Sequence, residues 1–189
     1  MFNRDFSKLT LEQMLSLGIF KRIDQPPTVY HMTPRTNLDK IIMDGKIRTC
    51  TDYVCWFSTS IDKLLTYIEL SNALTGRKHG DFDGKEHTAP AINPQDMVVL
   101  KLKPRFKEPL YWYAEFTPHL EERAFIDGDT NQPIPAEKRQ ECIDLRRKFD
   151  DSRICHYGDM KFKRDFEVIE LAEILCASEM HKVRCKEGA

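Results

Sequence analysis

The stretch Val29–Gly45, VYHMTPRTNLDKIIMDG, decides how the chain is read. A short apolar strand, Thr28 to His31, runs into a polar His-Met-Thr, and one amphipathic helix follows. Gly45 closes that helix, because glycine adopts the left-handed stop conformation without steric cost. The arrangement puts one imidazole and one hydroxyl at a strand end with a helix behind them. Strand ends of this kind offer a ligand a small, fixed set of hydrogen-bonding groups.

Pro26 and Pro27 separate this unit from MFNRDFSKLTLEQMLSLGIF at the N-terminus, which has no continuous apolar run and does not read as a secretory signal. Ser7 or Thr10 can cap a short packing helix there, with Leu11, Met14 and Leu15 at helical spacing. Downstream, Val54 to Ser60 (VCWFSTS) reads as a second strand. A helix follows to Leu74, with Ile61, Leu64, Leu65, Ile68 and Leu74 on one face and Ser60 as its cap.

Thr75 to Gln95 shows no periodicity and reads as a long loop, expected to act as a lid or acceptor-side loop. Met97 to Lys103 (MVVLKLK) is the clearest strand, and Leu110 to Phe116 is an aromatic-rich strand or platform. Arg123 to Asp127 is a short strand stopped by Asp127-Gly128, and Pro135 to Phe149 is a charged helix. Phe166 to Leu171 (FEVIEL) is the final strand, followed by a short helix in AEILCASEM. The order implies an α+β domain over 28–189 behind a helical extension over 1–27.

The 189 residues suffice for one domain with a substantial core. Formal net charge is −1, so no global field draws the chain to nucleic acid or to an acidic membrane. Lys161, Lys163 and Arg164 form the nearest thing to a basic patch, and a solvated face is its plainer reading. No stretch approaches the ~20 apolar residues of a membrane span. The six cysteines include no CxxC pair, and without a secretory signal they read as free thiols of a cytoplasmic protein. Cys155-His156 and His181-x-x-x-Cys185 contain zinc-ligand types, but unpaired thiols account for them and no metal is expected.

Three polar positions stand out. His31 ends the first strand, and Ser58, Thr59 and Ser60 end the second; backbone hydrogen bonding and helix capping are their structural explanations. Alternation in FEVIEL puts Glu167 on one face with Ile169 and Leu171, so it is partly buried, opens onto a cleft, or blunts a sheet edge.

Together these positions resemble a known family. The string Y-H-x-T-x-x-x-N-L-x-x-I-x-x-x-G (Tyr30, His31, Thr33, Asn37, Leu38, Ile41, Gly45) is similar to the first strand–helix unit of the ADP-ribosyltransferase fold, as in DarT-like and poly-ADP-ribose-polymerase-like enzymes. Trp56-Phe57-Ser58-Thr59 with Tyr67 eleven residues after the tryptophan resembles the second unit, and DFEVIELAEI the final acidic strand and helix. The likeness covers about 29–45, 53–75 and 160–176. It implies split antiparallel sheets with flanking helices and NAD as substrate.

By that resemblance His31 holds the adenosine-side ribose, Thr33 and Ser58 hydrogen-bond NAD, and Trp56 and Tyr67 sandwich the nicotinamide. An acidic residue then stabilises the positive charge that develops as the N-glycosidic bond breaks. Three positions compete for that role. Glu167 fits the DarT-like pattern, Asp165 fits the polymerase-like alignment, and Glu122 in HLEERAFI also precedes a short strand. Trp56 stands where a tyrosine is usual, and His31 where DarT-like proteins carry arginine.

The resemblance implies transfer of ADP-ribose to a protein or nucleic-acid acceptor, and the size suits a bacterial toxin, phage-encoded or defence-type enzyme. Two other readings stay open: an inactive module of the same fold that binds NAD or ADP-ribose, and an unrelated α+β interaction protein.

Overall fold

A computed structural model describes residues 11–16, 18, 20–49, 54–73, 78–80, 86–88, 92–107, 111–115 and 135–178. It is an α+β fold whose sheets are antiparallel throughout. Helix α1 (Leu11–Ser16) leads to strands β1 (Phe20–Arg22) and β2 (Val29–Pro34). A single 3-10 turn then enters α2 (Leu38–Asp44), followed by β3 (Lys46–Ile47), β4 (Val54–Phe57) and α3 (Ile61–Ala73). The second half contains β5 (Lys78–Gly80), β6 (Glu86–Thr88), β7 (Met97–Leu102), β8 (Trp112–Glu115) and α4 (Ala136–Ser152). It closes with β9 (Ile154–Tyr157), β10 (Met160–Lys161), β11 (Glu167–Glu170) and a helix over 171–178.

Two sheets carry the fold, one ordered β1-β8-β9-β4 and the other β11-β7-β2. Val29, Leu100 and Leu102 of the second face Phe57, Trp112 and Ile154 of the first, and this inter-sheet layer is the main core. The outer side of the three-stranded sheet is covered by α3, whose Leu64 and Ile68 meet Val99 and Leu171. The outer side of the four-stranded sheet buries Phe20, Val54, Tyr113 and Cys155 under Leu11 and Leu15 of α1. β7 is central in its sheet and buried on both faces, which explains why Val98, Val99 and Leu100 are consecutively apolar.

Local signals hold where chemistry forces them. Gly45 takes φ +63° and donates its N–H to the Ile41 carbonyl at 2.9 Å, ending α2. Ser60 Oγ accepts the Lys63 N–H at 3.2 Å, capping α3.

Several elements differ from the sequence reading. The stretch 75–95 is not simply a loop: β5 and β6 pair antiparallel within it, with His79 opposite His87. Helix α4 extends three residues past Phe149 to Ser152. The N-terminal 27 residues are not wholly a helical extension, since β1 pairs with β8 at the sheet edge, Phe20 opposite Glu115. Strand β9 has no alternation to announce it, because Ile154, Cys155 and His156 are all buried between β8 and β4. Arg123 to Asp127 lies outside the described residues.

No helix among the described residues is long and apolar enough to cross a membrane.

Candidate functional site

Among the described residues, backbone pairing joins the two sheets at one point. Tyr30 of β2 and Ser58 after β4 exchange both backbone hydrogen bonds at 2.9 Å, and the pairing stops there. Beyond that bridge a side chain spans the gap: His31 Nδ1 lies 3.0 Å from the Trp56 carbonyl oxygen. A carbonyl only accepts, so Nδ1 carries the proton and donates. Nε2 is thereby left as an acceptor. Burial lowers the pKa of His31, outweighing the opposing effect of that hydrogen bond, and keeps the ring neutral.

Where the strands part, a cleft of about 270 Å³ opens. Its walls include Tyr30, His31, Trp56, Ser58 and Tyr67, so three elements bring four of the sequence-predicted binding residues to one place. Two arginines, Arg48 and Arg153, complete the polar lining. The Arg153 guanidinium lies 4.1 Å over the Trp56 ring, and the Arg48 Nε donates to Asp44 at 2.9 Å. The sequence reading missed both arginines. Arg153 follows α4 and directly precedes the unannounced strand β9, so no local pattern marked it.

Ser58 is 3 % exposed and its hydroxyl donates to the Ser152 carbonyl at 2.9 Å, which ties β4 to the end of α4. Thr33 is buried and does not line the cleft; its Oγ1 accepts from Asn37 Nδ2 at 3.5 Å. Tyr67 meets Phe149 of α4 edge-on, with ring centroids 6.1 Å apart. That contact fixes the ring against the second helix.

The carboxylates lie elsewhere. Register sets Tyr30, Lys101 and Glu167 in one row across the three-stranded sheet, so Glu167 shares the face of Tyr30. Its side chain is 62 % exposed and bonds Lys101 Nζ at 2.9 Å. Asp165 bonds Lys103 Nζ at 2.6 Å, and that contact holds its pKa low. Neither lines the cleft, and Glu122 lies outside the described residues. Glu170, which the sequence reading did not single out, sits in the row of Thr33 and Val98 on the face of His31. It accepts two hydrogen bonds from the Arg35 guanidinium, one of 3.0 Å, and Arg35 lowers its pKa. Among the described lining residues there is no carboxylate.

Cys155 packs in the core with Phe20 and Tyr113, while His156 bonds the Gly158 carbonyl oxygen through Nδ1 at 3.0 Å and stacks on Tyr111. Cys55, Cys155 and Cys176 form no disulfide among the described residues. Among the described residues no group of three or more His, Cys, Asp or Glu side chains is arranged to hold a metal. His181 and Cys185 lie outside them.

The arrangement can accept a hydroxyl hydrogen at His31, lay a flat ring against Trp56 or Tyr67, and attract an anion to Arg48 and Arg153. No protein family matches the chain, and no curated protein or solved structure matches it significantly.

Proposed function

We propose that the cleft between β2 and β4 binds NAD and that the protein transfers its ADP-ribose to a macromolecular acceptor, protein or nucleic acid. The observation that carries this reading is the convergence of His31, Trp56, Ser58 and Tyr67 on one cleft. A neutral imidazole with a free acceptor nitrogen suits ribose hydroxyls, which donate. Aromatic faces suit the electron-poor nicotinamide cation. The guanidinium groups of Arg48 and Arg153 suit a pyrophosphate, the part of NAD that carries negative charge.

In this reading Glu167 is the acid that stabilises the oxocarbenium-like transition state. It shares a sheet row with Tyr30, a cleft residue, and its link to Lys101 is a solvent-exposed pair that costs little to break. Positive charge growing on the ribose carbon as nicotinamide leaves would be held by that carboxylate more strongly than the ground state is. The acceptor nucleophile then attacks that carbon, and its proton passes to solvent or to the acid.

A second reading is a binding module of the same type without chemistry. The missing carboxylate among the described lining residues favours it. Titration with NAD and an assay for nicotinamide release separate the two. Binding with release that fails in Glu167→Gln supports the transferase; binding without release supports the module. A folded protein that does not bind NAD overturns both.

A further inference from the structure

Past Leu102 the chain of β7 continues alongside residues 161–163. The Lys163 N–H donates to the Lys103 carbonyl at 2.9 Å, Pro104 bridges Phe162, and the Arg105 N–H donates to the Lys161 carbonyl at 2.9 Å. Leu102, Pro104 and Phe162 are buried in this ladder, so alternation turns Lys103, Arg105, Lys161 and Lys163 outward, and all four are exposed. Lys107 and Arg164 flank them, also exposed. Two runs of sequence far apart in the chain, KPRFK and KFKR, thus form one basic ridge.

Carboxylates answer only part of the positive charge along this ladder. Lys101 pairs with Glu167 and Lys103 with Asp165. Lys163 and Arg164 add two more cations beside Asp165, and at the far end Arg105 and Lys161 form no ion pair among the described residues. Lys161 even lies cross-strand from Lys46, a like-charge pairing that destabilises a sheet unless something else relieves it. Asp159 relieves Lys46 at 2.6 Å and leaves Lys161 unmatched. At this same end Phe106 is 47 % exposed, with the Arg105 guanidinium 5.1 Å and the Lys161 ammonium 5.9 Å from its ring centroid.

A ridge needed only for solubility would mix its charges and hide the phenyl ring. We propose that this ridge binds single-stranded nucleic acid, with its cations on the phosphates and Phe106 stacked on an unpaired base. A strand of nucleotides supplies one negative charge and one flat face per unit, which matches cations around an exposed aromatic. A duplex covers the faces of its bases, and a run of Asp and Glu side chains offers charge without a flat ring. With a net charge of −1 for the whole chain, the attraction is local to the ridge. None of these residues lines the β2–β4 cleft, so the proposal stands apart from what that cleft binds.

Fluorescence anisotropy on the full chain tests it, using labelled oligo-dT and oligo-U, with a duplex of equal length and polyglutamate as competing probes. Binding to at least one single strand is expected, weakening linearly with the logarithm of salt concentration. The pair Lys161→Glu and Lys163→Glu should weaken it at least tenfold and flatten the salt dependence. Phe106→Ala should weaken it severalfold with the salt slope unchanged, and Lys138→Glu on α4 should leave it as it was. Should the double reversal unfold the chain, Lys161→Gln and Phe106→Ala carry the same comparison. The proposal is overturned by no binding to either single strand at low salt, by equal or tighter binding of duplex or polyglutamate, or by binding that the substitutions leave unaltered.

Discussion

The Nδ1 of His31 lies 3.0 Å from the carbonyl oxygen of Trp56, and this contact ties two sheets together where their backbone pairing has ended. One residue is thus both a structural tie and the wall of a cleft, so its substitution should act on stability and on binding. His31→Ala should weaken NAD binding more than tenfold and also lower the melting temperature. His31→Gln, which can still donate to that carbonyl, should recover most of the stability and less of the affinity. Calorimetric titration beside thermal unfolding separates the two effects.

The buried imidazole also sets a pH dependence. Its folded pKa is lowered by burial, so the unfolded chain takes up this proton first. The contribution of His31 to stability is therefore whole above the ordinary histidine range. It is lost as pH falls through that range, until the folded ring itself protonates. Urea unfolding between about pH 7 and pH 5 should show this loss, and His31→Gln should flatten it. NAD affinity should fall only once the folded ring itself protonates, below the ordinary histidine range, because protonated Nε2 can no longer accept.

Arg153 sits over Trp56 and faces the cleft with its charge. Arg153→Ala should weaken binding of NAD and of nicotinamide mononucleotide by about ten- to a hundredfold, in line with a charge-assisted hydrogen bond of roughly 1.5–3 kcal/mol. Nicotinamide alone, which has no phosphate, should bind Arg153→Ala about as well as the parent protein. Arg153→Lys should recover part of the loss, since lysine keeps the charge and lacks the planar fork.

Ser58 spends its hydroxyl proton on Ser152, inside the protein. Ser58→Ala should cost about 1 kcal/mol of unfolding free energy, the usual worth of one buried hydrogen bond. NAD affinity should change by less than the stability does. A loss of affinity without loss of stability would instead return Ser58 to the ligand-binding role that the family resemblance implies.

Three described carboxylates and one outside the described residues can be ranked by a single assay. Glu167→Gln should abolish nicotinamide release while NAD affinity stays within a few-fold, the signature of an interaction made in the transition state. Asp165→Asn, Glu122→Gln and Glu170→Gln should retain release. If Glu170→Gln alone abolishes it, the catalytic acid is the one on the His31 face, and Glu167 serves only its pair with Lys101. Unfolding free energies should barely move in Glu167→Gln and Asp165→Asn, because both pairs are solvent-exposed.

Gly45 holds φ +63° where an added Cβ would meet nothing within 4 Å. Gly45→Ala should therefore cost only the backbone term, about 1 kcal/mol in urea unfolding. Gly45→Asn should cost less, since asparagine tolerates the left-handed conformation better.

Much of the fold and part of the site are legible in local sequence. Helices α2 and α3 with their stop and cap, strands β2, β4, β7 and β11, and the α+β class all follow from apolar spacing and from Gly45 and Ser60, because those signals act within one or two turns of chain. His31, Trp56 and Tyr67 are candidate binding residues only through the family resemblance, and the structure places all three on one cleft. Only the tertiary structure brings Arg48 and Arg153 into that cleft, spends Ser58 on Ser152, and sets Glu167 and Glu170 on opposite faces of one strand. It also reveals β9, a run of buried residues that carries no alternation because neighbours cover it on both sides. The physical reason is common to all of these. Register and sheet order depend on contacts between residues far apart in the chain, and a residue's own neighbours in sequence carry no record of them.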